Sequence, residues 1–425
     1  MTKSAWTAIC TDELALAMRA ALLDVAGALR VHPFADAALA GAGMTAVLFG
    51  YLERALPGRG FGADSERLLD DACARLSEQV VDESLFAGFS GLGWCVEHLA
   101  YLAGAGDEDD DPNQAVDEAL LDALARRRRA WHFDLIGGLA GLGVYALERA
   151  QRPLSPASGA TSLAGVGRVP MALSCAELVI DRLAQQAERR DGGFAWRTQP
   201  QGTARDVGPE RFDLGLAHGT PGVIAFLASA CRWPRLAQRA RPLLDGAVAW
   251  LLSRPTVGGP LRYAAHEGES RSTRAAWCYG DPGVAVALLA AARALERDDW
   301  ERAAWQLALD CAALGPVDAG VTDASLCHGS AGLAHLFLRF YHAGGDLRFA
   351  EAARRWFRHT LELRRPDVGL GGFACFCPDG DGQPVAAPSA ELLTGSVGIA
   401  LALLAGCSAV EPEWDRALVC ALPPA

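Results

Sequence analysis

Lysine is all but missing from this 425-residue chain: Lys3 is the sole example, and the other 38 of its 39 basic residues are arginine. That bias reflects coding composition and says little about function. An excess of positive charge is missing as well. A net charge of −12 argues against nucleic acid as the main partner. Long apolar runs are missing too. The longest, Gly395 to Cys407, is interrupted by glycine and serine, and it falls short of the roughly 20 residues of a membrane span. The start, MTKSAWTAICTDELA, lacks the charged opening and apolar run of a signal peptide. A cytoplasmic protein is therefore expected. Its twelve cysteines are scattered through the chain. In a reducing compartment such cysteines are mostly small buried hydrophobes, and special ones bind metal or do chemistry.

What is present is a repeat. "AGFSGLGWCVEHL" begins at Ala87, "IGGLAGLGVYAL" at Ile136, "AHGTPGVIAFL" at Ala217, "CYGDPGVAVALL" at Cys278, "CHGSAGLAHLFL" at Cys327 and "LTGSVGIALALL" at Leu393. An earlier copy, "AGAGMTAVLF", carries Ala40 in the place of the leading glycine. Each is Gly-x-x-Gly running into an apolar, helix-forming segment. The leading positions are 40, 88, 138, 219, 280, 329 and 395, with gaps of 48 to 81 residues, room for about one helical hairpin each.

Two classes of helix follow from the patterning. In "EAARRWFRHTLEL", Ala353, Trp356, Phe357, Thr360 and Leu361 form one apolar stripe backed by Arg354, Arg355, Arg358 and His359. The helices after Gly-x-x-Gly are apolar nearly all round; "GVAVALLAAARAL" carries no charge before Arg293. An amphipathic outer ring around an apolar inner ring accounts for both. The expected fold is all-α: an α/α toroid of seven helical hairpins, its Gly-x-x-Gly motifs gathered at one end. Glycine there would tolerate crowding of neighbouring backbones, and helix N-termini would present free N–H groups. "DGGFAWRT" at 191, "VGGPLRYAA" at 257 and "GLGGFACFCPDGDGQP" at 369 read as short extended segments at the rim. Residues 1–425 are expected to form a single domain, with a surface loop or small insertion around 151–212. The acidic run 107–111 and the basic run 126–129 read as solvated hairpin ends.

Two copies place cysteine two residues before the leading glycine, Cys278 in "WCYGDPG" and Cys327 in "LCHGSAG". With His328 they form a Cys2His triplet on neighbouring hairpins. Three protein ligands leave one tetrahedral position open, the pattern of a catalytic zinc. His218 in "LAHGTPG" faces the same end, as a general acid or base or as a fourth ligand. Asp134 in "FDLIGGLAG" orients His218 or caps a helix. Arg274 is a candidate to stabilise an oxyanion, and Tyr279 to hydrogen-bond it. His335, seven residues beyond His328, reads as lining or core. Cys375 and Cys377 lie without a nearby histidine, so a second metal there is not expected.

"DLIGGLAG", "LAHGTPG", "RAAWCYGDPG" and "SLCHGSAGL", in that order, resemble the motifs of the LanC lanthipeptide cyclases. The resemblance runs through all seven copies. It implies an α/α toroid with one zinc per chain held by Cys278, Cys327 and His328, and an active site of His218, Asp134, Arg274 and Tyr279. It implies a ribosomal precursor peptide, with a leader and already dehydrated, whose cysteine thiolates add to dehydroalanine or dehydrobutyrine to close thioether rings. It further implies a separate dehydratase and an export transporter as partners, and peripheral membrane association through such a complex. The chain has no room for a dehydratase region, so it resembles the stand-alone type. Two alternatives stand beside this reading. A zinc prenyltransferase-like enzyme would want a basic, aromatic diphosphate pocket, and no basic cluster is evident. A glutathione-binding relative within the family would share the motifs.

Overall fold

The computed structural model describes residues 6–78, 81–104, 111–126, 131–151, 163–198, 211–256, 259–378 and 384–423. In chain order the elements are α1 (Glu13–Leu29), α2 (Ala42–Ala55), α3 (Phe61–Glu78), α4 (Phe89–Ala103), α5 (Gln114–Ala125), α6 (Leu139–Gln151) and α7 (Leu163–Gln186). A hairpin of β1 (Glu188–Arg190) and β2 (Gly193–Ala195) follows, then α8 (Thr220–Ala230), α9 (Pro234–Leu252), α10 (Asp281–Leu295), α11 (Asp298–Ala312), the single turn α12 (Pro316–Ala319), α13 (Ser330–Gly344) and α14 (Leu347–Glu362). A second hairpin, β3 (Cys375–Pro378) with β4 (Pro384–Ala387), precedes α15 (Ser396–Cys407) and a 3-10 segment (Glu413–Leu418).

The fold is an all-α toroid. Among the described residues, α2, α4, α6, α8, α10, α13 and α15 form an inner ring, each packed on the next, with α15 returning against α2. Their composition dictates this placement. Every residue of α15 is buried, whereas α14 buries only a stripe that includes Phe349, Ala353, Trp356, Phe357 and Thr360. Six outer helices pack on the inner helix that precedes them. The seventh pair joins the two ends of the chain: α1 covers α15. Backbone and side-chain bonds tie that closure. Trp6 Nε1 donates to the Ala405 carbonyl (3.2 Å), Cys10 N to Gly406 O (3.1 Å) and an Arg19 guanidinium N–H to Cys407 O (3.1 Å).

The glycines do allow close approach of neighbouring repeats, since a Cβ on Gly398 would lie 2.8 Å from the Leu326 Cβ and one on Gly141 3.0 Å from the Leu85 Cβ, and they also serve a more local purpose. A Cβ on Gly332 would lie 2.0 Å from the carbonyl oxygen of Leu326, in its own preceding turn, and one on Gly280, at φ 111°, would lie 2.1 Å from Arg274 O. The chain thus folds back on itself just before each inner helix. In the first copy this role falls to Gly41, the N-cap of α2, and not to Ala40; its preceding loop is one residue shorter.

Two further expectations change, and the extended segments gain pairing partners. Within 151–212, residues 163–186 are not a loop. They form α7, the outer partner of α6, and the helix runs through Pro170; segments 152–162 and 199–210 lie outside the described residues. Of the three extended pieces, those at 191 and 369 form β-hairpins. Among its described residues the one at 257 forms no strand hairpin of its own, and it runs into a bridge between Asp213 and His266. Asp111 is not a solvated end, because its carboxylate pairs with buried Arg149 at 2.5 Å; residues 107–110 and 127–129 lie outside the described residues.

The 3-10 segment occupies the toroid at the end opposite the glycine turns. Buried Asp415 accepts from His335 Nε2 (2.7 Å) and from the Arg339 guanidinium (2.6 Å). Arg416 pairs with Glu148 (2.7 Å), which also meets His98 Nδ1 (2.8 Å). His335, which lies within α13 and is buried, is therefore core.

Candidate metal centre and active site

The glycine turns gather the N-termini of the inner helices into a mouth, and a backbone ladder fixes their register. Ala217 N donates to Cys278 O (3.2 Å), Cys278 N to Cys327 O (3.3 Å) and Cys327 N to Leu393 O (2.8 Å). Each of these residues stands two before its leading glycine, so Cys278 and Cys327 are held side by side. His328 follows Cys327 directly. The ligand atoms of Cys278, Cys327 and His328 all lie within 4.8 Å of one another, and both cysteines are partly exposed.

The electrostatics suit a cation. The hydrogen bond from the Cys327 thiol, with help from His328, outweighs burial and holds the Cys278 thiol below its ordinary range. The hydrogen bond to Cys278 and burial push Cys327 up in turn. A metal ion at this point would favour the thiolate form of both cysteines. Two soft thiolates and an imidazole, with one side open to the mouth, fit zinc. Asp323 Oδ2 stands 3.4 Å from His328 Nε2, and its Oδ1 accepts from Ser325 N at 2.8 Å.

His218 stands on the adjacent turn, one residue before its glycine, as His328 does. It is not a member of the Cys278–Cys327–His328 group. Its Nδ1 meets Asp134 Oδ2 at 2.6 Å, while Asp134 Oδ1 accepts from Gly137 N at 2.9 Å. Asp134 therefore both orients the imidazole and closes a turn. Burial disfavours the imidazolium, but the Asp134 hydrogen bond and charge outweigh it, so the His218 pKa is raised. With Nδ1 occupied, Nε2 is the nitrogen free for chemistry.

Tyr279 lies beside this dyad, its ring centroid 6.4 Å from that of His218. Its hydroxyl donates to Asp213 Oδ2 at 3.2 Å. Arg274 is exposed at the mouth, and its positive charge favours the thiolate of Cys327.

The sequence profile of the family described as lanthionine synthetase C-like protein covers residues 39–419. The chain belongs to that family. The LanC-like assignment agrees with the order of the motifs around the mouth, and the enzyme class expected from them, a lanthionine synthetase, is the one the family carries in its name. Among solved structures the fold is similar to that of a nisin cyclase, with a TM-score of 0.68 at 17% identity over 92% of this chain and 94% of that one. A comparison with curated proteins gives no match.

Three residues of this LanC-like mouth were not singled out from the sequence: Asp213, Asp323 and His266. Asp213 and Asp323 share a register, six residues before the leading glycine, with Asp82 and with Arg274. That recurrence was the available signal. His266 offers none, because it reaches the site through pairing of the 265–267 strand with 212–214. Among the described residues no helix is long and apolar enough to cross a membrane.

Proposed function

We propose that this LanC-like chain is a zinc-dependent lanthipeptide cyclase, built as one toroid domain over residues 1–425, that closes thioether rings in a dehydrated ribosomal peptide. The observation that carries the reading is the juxtaposition of the Cys278–Cys327–His328 group with the His218–Asp134 dyad on adjacent turns. Zinc bound by those three residues would supply a Lewis acid that favours ionisation of a substrate thiol at neutral pH, where a free cysteine, with pKa near ~8.5, is mostly protonated.

The chain's own residues do the rest. His218 takes the thiol proton through Nε2, with Asp134 holding the ring and stabilising its charge. The substrate sulfur bonds to the β-carbon of a dehydroalanine or dehydrobutyrine, and the alkene electron pair moves onto the adjacent carbonyl as an enolate. Arg274, exposed at the mouth, stabilises the enolate oxygen. His218 returns a proton to the α-carbon. The net change is addition of S–H across C=C, with no redox step. The raised His218 pKa suits this return, because it keeps the ring charged to higher pH.

The reading carries with it a leader-bearing precursor peptide, a separate dehydratase and an export transporter as partners, and a cytoplasmic site at the membrane periphery. These rest on the family resemblance. The test is mass spectrometry of a dehydrated precursor after incubation with the protein and alkylation of free thiols. The expected result is loss of alkylatable thiols at unchanged peptide mass. Thiols that remain fully alkylatable with zinc-replete protein would overturn the reading.

A further inference from the structure

Beside the proposed acid–base dyad lies a second polar cluster to which the mechanism gives no role. Asp213 is 3% exposed. Its backbone bridges His266, with Leu214 N donating to Ala265 O (2.9 Å) and Glu267 N to Phe212 O (2.9 Å). Directly opposed residues of an antiparallel pair project to the same face, and His266 Nε2 accordingly lies 3.0 Å from Asp213 Oδ1. The other nitrogen of His266 is taken by Glu269 Oε1 at 2.9 Å. The second oxygen of Asp213 receives the Tyr279 hydroxyl at 3.2 Å. The buried Asp213 carboxylate thus makes its hydrogen bond through Oδ2, to Tyr279, while Oδ1 faces the His266 ring and makes no hydrogen bond.

A tyrosine hydroxyl has one proton and two lone pairs. In Tyr279 the proton is committed to a buried carboxylate, so what remains for the mouth is acceptor capacity. This is the opposite of an oxyanion donor. We propose that Asp213 is a positioning residue that fixes Tyr279 as a hydrogen-bond acceptor for a backbone N–H of the peptide substrate. The inference rests on the cyclase reading and deepens it: Tyr279 contributes to holding the peptide in the ground state and the transition state alike, not to stabilising the enolate.

Two readouts test it. Turnover is followed on a synthetic peptide carrying one dehydroalanine and one cysteine. Affinity is measured with a fluorescent analogue in which alanine replaces dehydroalanine, so that the thiol remains but no ring can close. Tyr279→Phe is expected to raise KM and Kd by about threefold to tenfold, the scale of one net hydrogen bond, with kcat within about twofold, the signature of lost uniform binding. Asp213→Ala is expected to do the same, and the double variant to be no worse than Tyr279→Phe alone. Asp213→Asn, which keeps the shape and an acceptor oxygen, is expected to restore affinity, and it also serves if the alanine variant does not fold. A tenfold fall in kcat at unchanged KM in Tyr279→Phe would overturn the inference, as would additive effects of the two substitutions. Failure of the cyclase reading looks different: the wild-type protein would neither bind the analogue nor close the ring, and the inference would fall with it.

Discussion

The two ends of the toroid are made by the same seven inner helices and are organised in opposite ways. At the far end, charge is buried and matched. Arg149 is fully buried and meets Asp117 and Asp111 at 2.6 and 2.5 Å as well as Glu97. Glu148 is buried, yet Arg416 and His98 hold its carboxyl down to about 2. At the mouth, the side chains of His218 and His328 are 34% and 27% exposed, and each has a ring nitrogen beyond its carboxylate partner. The far end spends its polar groups on one another, which fixes the ring. The mouth leaves valence open for a cation and a peptide. Trp277 joins the two: it precedes Cys278, and its indole N–H donates to Leu418 O at 3.1 Å.

This contrast can be broken at either end, with different consequences. The largest effect is expected from Cys327→Ala. Removing one of three ligands should take zinc from one per chain to near none by elemental analysis and abolish ring closure, while the thermal midpoint of the metal-free protein stays close to that of metal-free wild type. At the far end, Arg149→Met should leave Glu97 and Asp117 buried without their cation. A loss of about 3–5 kcal/mol is the scale for breaking a buried pair, checked by denaturant unfolding. The folded fraction should still bind zinc normally. An unchanged midpoint would mean that the buried charges are not what fixes the ring.

Much of this was legible in the sequence. The seven glycine turns, the two classes of helix and the cysteines in register all follow from local patterns that repeat at a fixed place in the hairpin. What was not legible depends on partners far apart in the chain. Nothing near α15 announces that α1 will cover it, since the contact spans the two ends. Asp111 reads as solvated because its partner Arg149 is 38 residues away, on another helix. His266 reaches the mouth only by strand pairing. Pro170 and its small neighbours suggested a loop, but packing of α7 on α6 overrides that preference.

Smaller perturbations sharpen the account of the mouth. His218→Ala is expected to retain zinc, because that ring is turned to Asp134, and to slow ring closure by about 10²-fold, the scale of general acid–base catalysis. Loss of zinc would instead make His218 a ligand. Asp134→Asn should cost less, about tenfold, and should also move the pH profile. The His218 pKa is raised in the folded protein, so its charged form persists as pH rises and is lost only above the ordinary imidazole range. Removing the Asp134 charge should lower that pKa and shift the alkaline limb of kcat toward lower pH. A limb that does not move would remove His218 as the titrating acid.

The most direct test of the central claim, that the mouth holds a metal with a position reserved for a substrate thiol, is X-ray absorption at the zinc edge with and without a cysteine-containing substrate peptide. The account predicts two sulfur neighbours in the free protein, from Cys278 and Cys327, and three once the peptide is bound. Two sulfurs before and after, or no stoichiometric zinc at all, would contradict it.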